Sequence, residues 1–225
     1  MESGGEVRRT EDTVARINNA AGALDVQVWA VPGILTATVT LPNNTTHTHT
    51  KRLQPEKINL AELDRLNALS RRLCRGESVN PAVPAHPTYT RTVRLLCTFL
   101  ATAAFCIYFG GSWKEALLSG IFGILTDGYR PPLQSAFTGV LLDSVVAGLL
   151  AFTPQALGLP VRGSHIFIGI IMLLVPGLTI GNALRDMIDG DLLAGLLRLA
   201  DAVLCALSIA LGCAFALWLP GSVNL

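Results

Sequence analysis

The residues predict a membrane all-α bundle of about five transmembrane helices with a small N-terminal α+β cytoplasmic module. Three observations carry this. Hydrophobic residues fill 51% of the 225 positions and charged residues 15%, with a mean hydropathy of +0.49. The charges are unevenly placed: they recur every few residues from Met1 to Arg94 and become sparse from Leu95 to Leu225. Within that second stretch, apolar runs approach the roughly 20 residues that cross a bilayer. The chain therefore divides into 1–88, a cytoplasmic module with its linker, and 89–225, a transmembrane helical domain.

In the module, Val7 to Ala21 reads as a short amphipathic helix, with Val7, Val14, Ile17 and Ala21 on one side and Gly22 as its stop. Asp25 to Val31 alternates apolar with polar residues, and Gly33 to Leu41 is rich in β-branched residues. Pro32-Gly33 and Pro42-Asn43 punctuate these strands, and Thr45 to Lys51 is a candidate third strand. His47 and His49 share one face of it, but two ligands without a third make a poor metal site, so a solvated strand and no metal are expected. Asn59 to Cys74 is the clearest helix: Asn59 and Glu62 have capping-box spacing, Leu60, Leu63, Leu66, Leu69 and Leu73 line one face, and Gly76 ends it. Asn80 to Pro87 is the linker.

The expected spans are Leu95–Trp113, a short second one over Ala116–Thr126 between Glu115 and Asp127, Pro132–Phe152, Ser164–Leu184 and Leu192–Leu219. Arg71, Arg72, Arg75, Arg91 and Arg94 precede the first span, Arg130 follows the second and Arg185 the fourth, against Lys114 and Arg162 on the other side. This places the N-terminus in the cytoplasm and Leu225 outside. The polar first 30 residues contain no cleavable signal peptide, so the first apolar run is the expected insertion signal of a multi-pass inner-membrane protein.

Two sets of membrane residues carry chemistry. Pro176 falls inside an apolar run and is followed by Gly177. Proline removes a backbone hydrogen bond, and in hydrocarbon the freed backbone must meet protein, water or substrate. Such a break either kinks the helix or builds a site in which a half-helix N-terminus meets a carboxylate, with Thr179 and Asn182 as further donors. The second set is ionisable. A central Asp or Arg costs roughly 2.5–3.5 kcal/mol on insertion scales, while each Leu or Ile returns about 0.3–0.6. Arg198 and Asp201 lie on one helical face, where they either pair with each other or snorkel to the interface. Asp143 sits near mid-span and is the candidate proton-binding carboxylate, with pairing to an arginine as the alternative. In the turn Arg185 to Asp191, capping accounts for Gly190 and Asp191 but not for Asp186 and Asp189, which are expected at the cytoplasmic mouth.

Other classes are excluded by what the residues lack. The sequence has no GxSxG, HExxH, Walker A or dinucleotide-loop motif, so neither an enzyme, a cofactor nor an ATP-driven pump is expected. A net charge of +1 gives no basis for nucleic-acid binding. Cys74, Cys97, Cys106, Cys205 and Cys213 fit no CxxC pattern and read as reduced packing residues.

Two stretches resemble the threonine/serine exporter family. Ser3 to Thr13 (Ser-Gly-Gly-Glu-Val-Arg-Arg-Thr-Glu-Asp-Thr) is similar to the family's opening signature, and Leu174 to Gly190 to its Leu-Val-Pro-Gly-x-x-x-x-Asn-x-x-Arg-Asp segment and Gly-Asp turn. The resemblance implies proton-gradient-driven efflux of threonine, serine or a small carboxylate such as succinate. It also implies that this chain is the larger subunit of a split, two-component form. Its partners would be a small all-membrane subunit of about four or five spans, the lipid bilayer and further copies of itself. Pro176, Gly177, Asn182, Arg185 and Asp186 match the motif, and Glu6, Arg9, Glu11 and Asp12 belong to the cytoplasmic signature. Family members usually carry a further helix ahead of a signature that here begins at Ser3. Two readings of other classes stand beside the exporter. One is a regulatory or scaffolding subunit whose partner forms the substrate path. The other is a membrane-tethered enzyme using the four signature residues, which a solvated charged face explains more simply.

Overall fold

A computed structural model describes residues 1–54, 58–77, 89–128 and 136–218. The expected linker, Arg130, the start of the third expected span and Leu225 lie outside these residues. The elements in order are α1 (Val7–Ala20), β1 (Asp25–Val31), β2 (Ile34–Thr40), β3 (Thr46–Arg52), α2 (Leu60–Cys74), α3 (Arg91–Tyr108), α4 (Trp113–Gly128), α5 (Ala136–Ala156), α6 (Gly163–Ile171), α7 (Gly177–Ile188) and α8 (Leu192–Trp218). They form two compact units, one of Met1–Thr88 with Gly177–Ala200, the other of Tyr89–Pro176 with Asp201–Leu225. The chain is mostly helical, with one small antiparallel sheet near its N-terminus.

In the first unit the sheet has the order β1-β2-β3. Pro32 and Gly33 join β1 to β2 with Val31 opposite Ile34, a two-residue connection that needs the positive φ of Gly33, +96°. One face carries Val26, Val28 and Ala30 with Leu35, Ala37 and Val39. The other carries a ladder of hydroxyl pairs, Thr36–Thr50 at 3.1 Å, Thr38–Thr48 at 3.0 Å and Thr40–Thr46 at 3.4 Å. His47 and His49 are exposed, opposite Val39 and Ala37. Val7, Ala30, Val31 and Ala194 of α8 form the unit's buried cluster. Helix α2 begins as its capping spacing predicts, with the Asn59 side chain accepting from the Glu62 N–H at 3.1 Å. Its leucine face is only partly covered, since Leu60 and Leu66 are exposed. Helix α7 ends on Gly190 (φ +98°), with Gly190 N–H donating to the Met187 carbonyl at 3.2 Å and Asp191 N–H to that of Asp186 at 2.8 Å. Gly195 lets α8 approach α7, since a Cβ there would lie 2.8 Å from the Ala183 carbonyl.

In the second unit small residues set the helix spacing, as expected where lipid supplies no hydrophobic drive between helices. A Cβ on Gly123 would lie 2.7 Å from Thr102, and one on Gly169 would lie 2.7 Å from the Thr102 carbonyl. The Ser119 hydroxyl reaches the carbonyls of Thr102 at 3.1 Å and Ile166 at 3.4 Å, tying α3, α4 and α6. The Ser144 hydroxyl joins α5 to the Ser208 carbonyl of α8 at 3.2 Å. Ala147, Ala151, Phe152, Ile166, Phe167 and Ile170 are the buried core, with the Phe152 and Phe167 rings stacked 5.9 Å apart.

Three of the described helices are long and apolar enough to cross a membrane, within Arg91–Tyr108, Phe137–Ala156 and Leu192–Trp218. The other expected spans are shorter or broken in the structure. The first apolar run stops at Tyr108 because Gly110 and Gly111 turn the chain, and α4 starts at Trp113 with 16 residues. The Ser164–Leu184 run is split into α6, of 9 residues, and α7, of 12. Helix α5 runs on to Ala156 with Pro154 inside it.

Candidate functional site

The two sequence signatures meet within the first unit. Helix α1 starts at Val7, and its N-cap residue Glu6 supplies no side-chain cap. The cap comes from far along the chain: the buried Val7 N–H donates to Asp186 Oδ1 of α7 at 3.1 Å. A carboxylate there also suits the positive end of the helix dipole. Arg198 of α8 closes the arrangement, its Nη2 donating to the Gly5 carbonyl at 2.7 Å and its Nη1 lying 3.1 Å from Asp186 Oδ2. Both charged side chains are 1% exposed. Burial pushes the Asp186 carboxyl up, while the Val7 N–H and the Arg198 guanidinium pull it down. Around this core, Asn182 donates to the Gly4 carbonyl at 3.2 Å, Arg185 pairs with Glu6, and Arg8 lies 3.4 Å from Asp189.

The expected site residues thus fall into distinct places. Asn182, Arg185, Asp186 and Arg198 hold the opening segment. Arg198 takes Asp186 of α7 as an ion partner, while Asp201, the neighbour on its own helix, is exposed. Of the signature residues, Glu6 faces Arg185, Glu11 accepts the Ala30 N–H at 2.8 Å and so fastens α1 to β1, Asp12 pairs with Arg16, and Arg9 is exposed. Burial raises the Glu11 carboxyl, opposed by the Ala30 N–H. Asp143 is buried on α5, 5% exposed.

Pro176 and Gly177 do interrupt their apolar run. Helix α6 closes with tightened bonds, Leu173 N–H to the Ile170 carbonyl at 3.3 Å and Leu174 N–H to the Ile171 carbonyl at 2.7 Å. Pro176 is half-buried in the connection, Gly177 opens α7 with no atom near its missing Cβ, and Thr179 is half-buried in the first turn. The Leu174 carbonyl accepts from the Cys205 thiol at 3.5 Å.

A second polar knot was not anticipated. Glu115, buried at the start of α4, accepts from the backbone N–H groups of Ser112 and Arg162, each at 2.6 Å, and lies 3.2 Å from His165 Nδ1. Burial opposes its ionisation, but these donors hold its pKa at about 2. The Ser112-x-x-Glu115 capping spacing was the available signal. The Arg162 N–H belongs to a distant loop and leaves no trace in residue type.

Among the described residues no group of three or more His, Cys, Asp or Glu could hold a metal ion. A family model, ThrE, described as "Putative threonine/serine exporter", matches residues 1–219. No curated protein and no solved structure matches the chain.

Proposed function

The chain belongs to the threonine/serine exporter family, and from that premise we propose that it is one subunit of a secondary, proton-gradient-driven exporter. Its cargo is threonine, serine or a related small amino acid or carboxylate such as succinate. The observation that carries this reading is the break between α6 and α7. A helix restarting inside an apolar run presents N–H groups without intrahelical partners, and these suit a substrate carboxylate. Pro176, Gly177 and Thr179 are the proposed contacts, with Asn182 holding that turn through Gly4. Asp143 is the proposed proton carrier and the exposed Asp201 a further ionisable group on the path. Asp186 and Arg198, being mutually neutralising, are proposed to brace the module more than to carry ions.

In this reading the protein crosses the cell's inner membrane five times, with the Ser164–Leu184 run as the fourth crossing and the N-terminus in the cytoplasm. It is the larger subunit of a two-component system, completed by a small all-membrane partner of about four or five spans, with self-association also expected.

The test is threonine efflux from membrane vesicles bearing this chain and its partner. Asp143→Asn is expected to abolish export driven by a pH gradient, and unchanged efflux in that variant would remove the proton role. A second reading, of a regulatory or scaffolding subunit, is favoured by the build of the first unit, in which the soluble module shares buried polar contacts with α7 and α8. Export by the small partner alone would select it.

A further inference from the structure

Helices α3 and α4 and the end of α6 enclose a cavity of about 30 Å³, lined by Thr98, Thr102, Thr126, Asp127 and Leu174 among others. That is room for one or two waters, or for one compact polar group. Its polarity is one-sided. The Thr102 hydroxyl turns its proton back into α3, towards the carbonyls of Thr98 at 3.0 Å and Phe99 at 3.1 Å, and the Thr126 hydroxyl donates to the Phe122 carbonyl at 2.9 Å. A hydroxyl has a single proton, so both are left with lone pairs to offer. Asp127 adds a carboxylate whose Oδ2 is buried and makes no hydrogen bond among the described residues. Arg94 Nε lies 3.2 Å from that oxygen, out of hydrogen-bond alignment, on a side chain 60% exposed. Gly123 keeps α4 close, since a Cβ there would lie 2.8 Å from the Thr102 hydroxyl.

Acceptors on several sides and a poorly matched exposed arginine at the carboxylate describe a place for a small donor-rich cation. An alkylammonium group has three donors and no acceptor. Resting on the exporter reading above, the geometry points to this cavity as the subsite for the substrate's ammonium group. Asp127 is the counter-charge, the Thr102 and Thr126 oxygens are further acceptors, and Arg94 is the resident cation that the ammonium displaces.

The experiment measures binding of labelled threonine to the full-length chain in detergent. Competitors are ethanolamine, which has the ammonium without a carboxylate, and 3-hydroxybutyrate, which has the carboxylate without an ammonium. Ethanolamine is expected to compete. Asp127→Asn is expected to weaken threonine and ethanolamine by roughly tenfold or more while leaving 3-hydroxybutyrate unchanged. Arg94→Gln, which spares the carboxylate, is expected to tighten ethanolamine. Equal loss of all three ligands in Asp127→Asn, or Arg94→Gln weakening ethanolamine, would make the pair a structural bridge only and overturn the subsite. Competition by sodium but not by ethanolamine would make it an inorganic-cation site and overturn it too. Threonine binding that is equal in wild type and Asp127→Asn sinks the subsite alone. Wild-type protein that, with its partner present, binds none of threonine, serine and succinate sinks the exporter reading and the subsite with it.

Discussion

Removing the Asp186 carboxylate should loosen the start of α1, although the two lie on elements far apart in the chain. Asp186→Ala strips the Val7 N–H of its acceptor and leaves the Arg198 guanidinium without its counter-charge, both in a region about 1% exposed. An unsatisfied buried donor costs about 1–3 kcal/mol, and breaking one side of a buried ion pair about 3–5 kcal/mol. These overlap, because one carboxylate serves both, so the expected loss is about 3–5 kcal/mol. Arg198→Met should cost a similar amount, since it takes the cation from the buried Asp186 carboxyl and the donor from the Gly5 carbonyl. The double variant Asp186→Leu with Arg198→Met removes both charges together and should fall short of the sum of the singles by about 2–3 kcal/mol. Amide hydrogen exchange at Val7 to Thr10 reads this directly. A 3 kcal/mol loss corresponds to roughly 10²-fold faster exchange if these amides open locally. Singles that add within about 0.5 kcal/mol, or a Val7 amide whose exchange is unmoved in Asp186→Ala, would refute the reasoning.

Two further outcomes follow from the second unit. Glu115 is held at about pKa 2 in the fold. Its ordinary value is near 4.3, so it contributes about 3 kcal/mol that is present in full above the ordinary value and lost as pH falls towards 2. Thermal unfolding midpoints should therefore drop between about pH 5 and 2, and Glu115→Gln should flatten that drop. Gly169→Ala puts a methyl 2.7 Å from the Thr102 carbonyl and against Ser119, and should cost about 1–3 kcal/mol. Gly139→Ala, with open space around it, should be neutral or stabilising by about 0.5–1 kcal/mol, and calorimetry on the pair tests whether small residues set the helix spacing.

What was legible in the sequence is what is decided locally. Asn59 caps α2 through the Glu62 N–H, Gly22, Gly76 and Gly190 end their helices, the turn at Pro32-Gly33 sets the first hairpin, and Pro176 breaks its run, because each depends on residues within a turn of one another. The joint was not legible. Spacing suggested Asp201 for Arg198, whereas the hairpin of α7 and α8 delivers Asp186 instead. Its other partners, the Gly4 and Gly5 carbonyls and the Val7 N–H, are backbone groups, which any residue would provide and no pattern marks. For the same reason Glu6 and Glu11 looked like a solvated charged face, although Arg185 and the Ala30 N–H engage them. The cavity beside Asp127 needed three helices to be assembled before its acceptors faced one another.

The contact from Arg198 to Gly5 spans 193 positions of sequence, and this bears on biogenesis. At translation rates of about 5–20 residues per second, the N-terminal segment waits roughly 10–40 s for the arginine that secures it. During that interval the nascent first unit lacks its final clasp, and a ribosome halted before Arg198 leaves it so. Completion of the first unit is thereby coupled to synthesis of α8, whose arginine closes it.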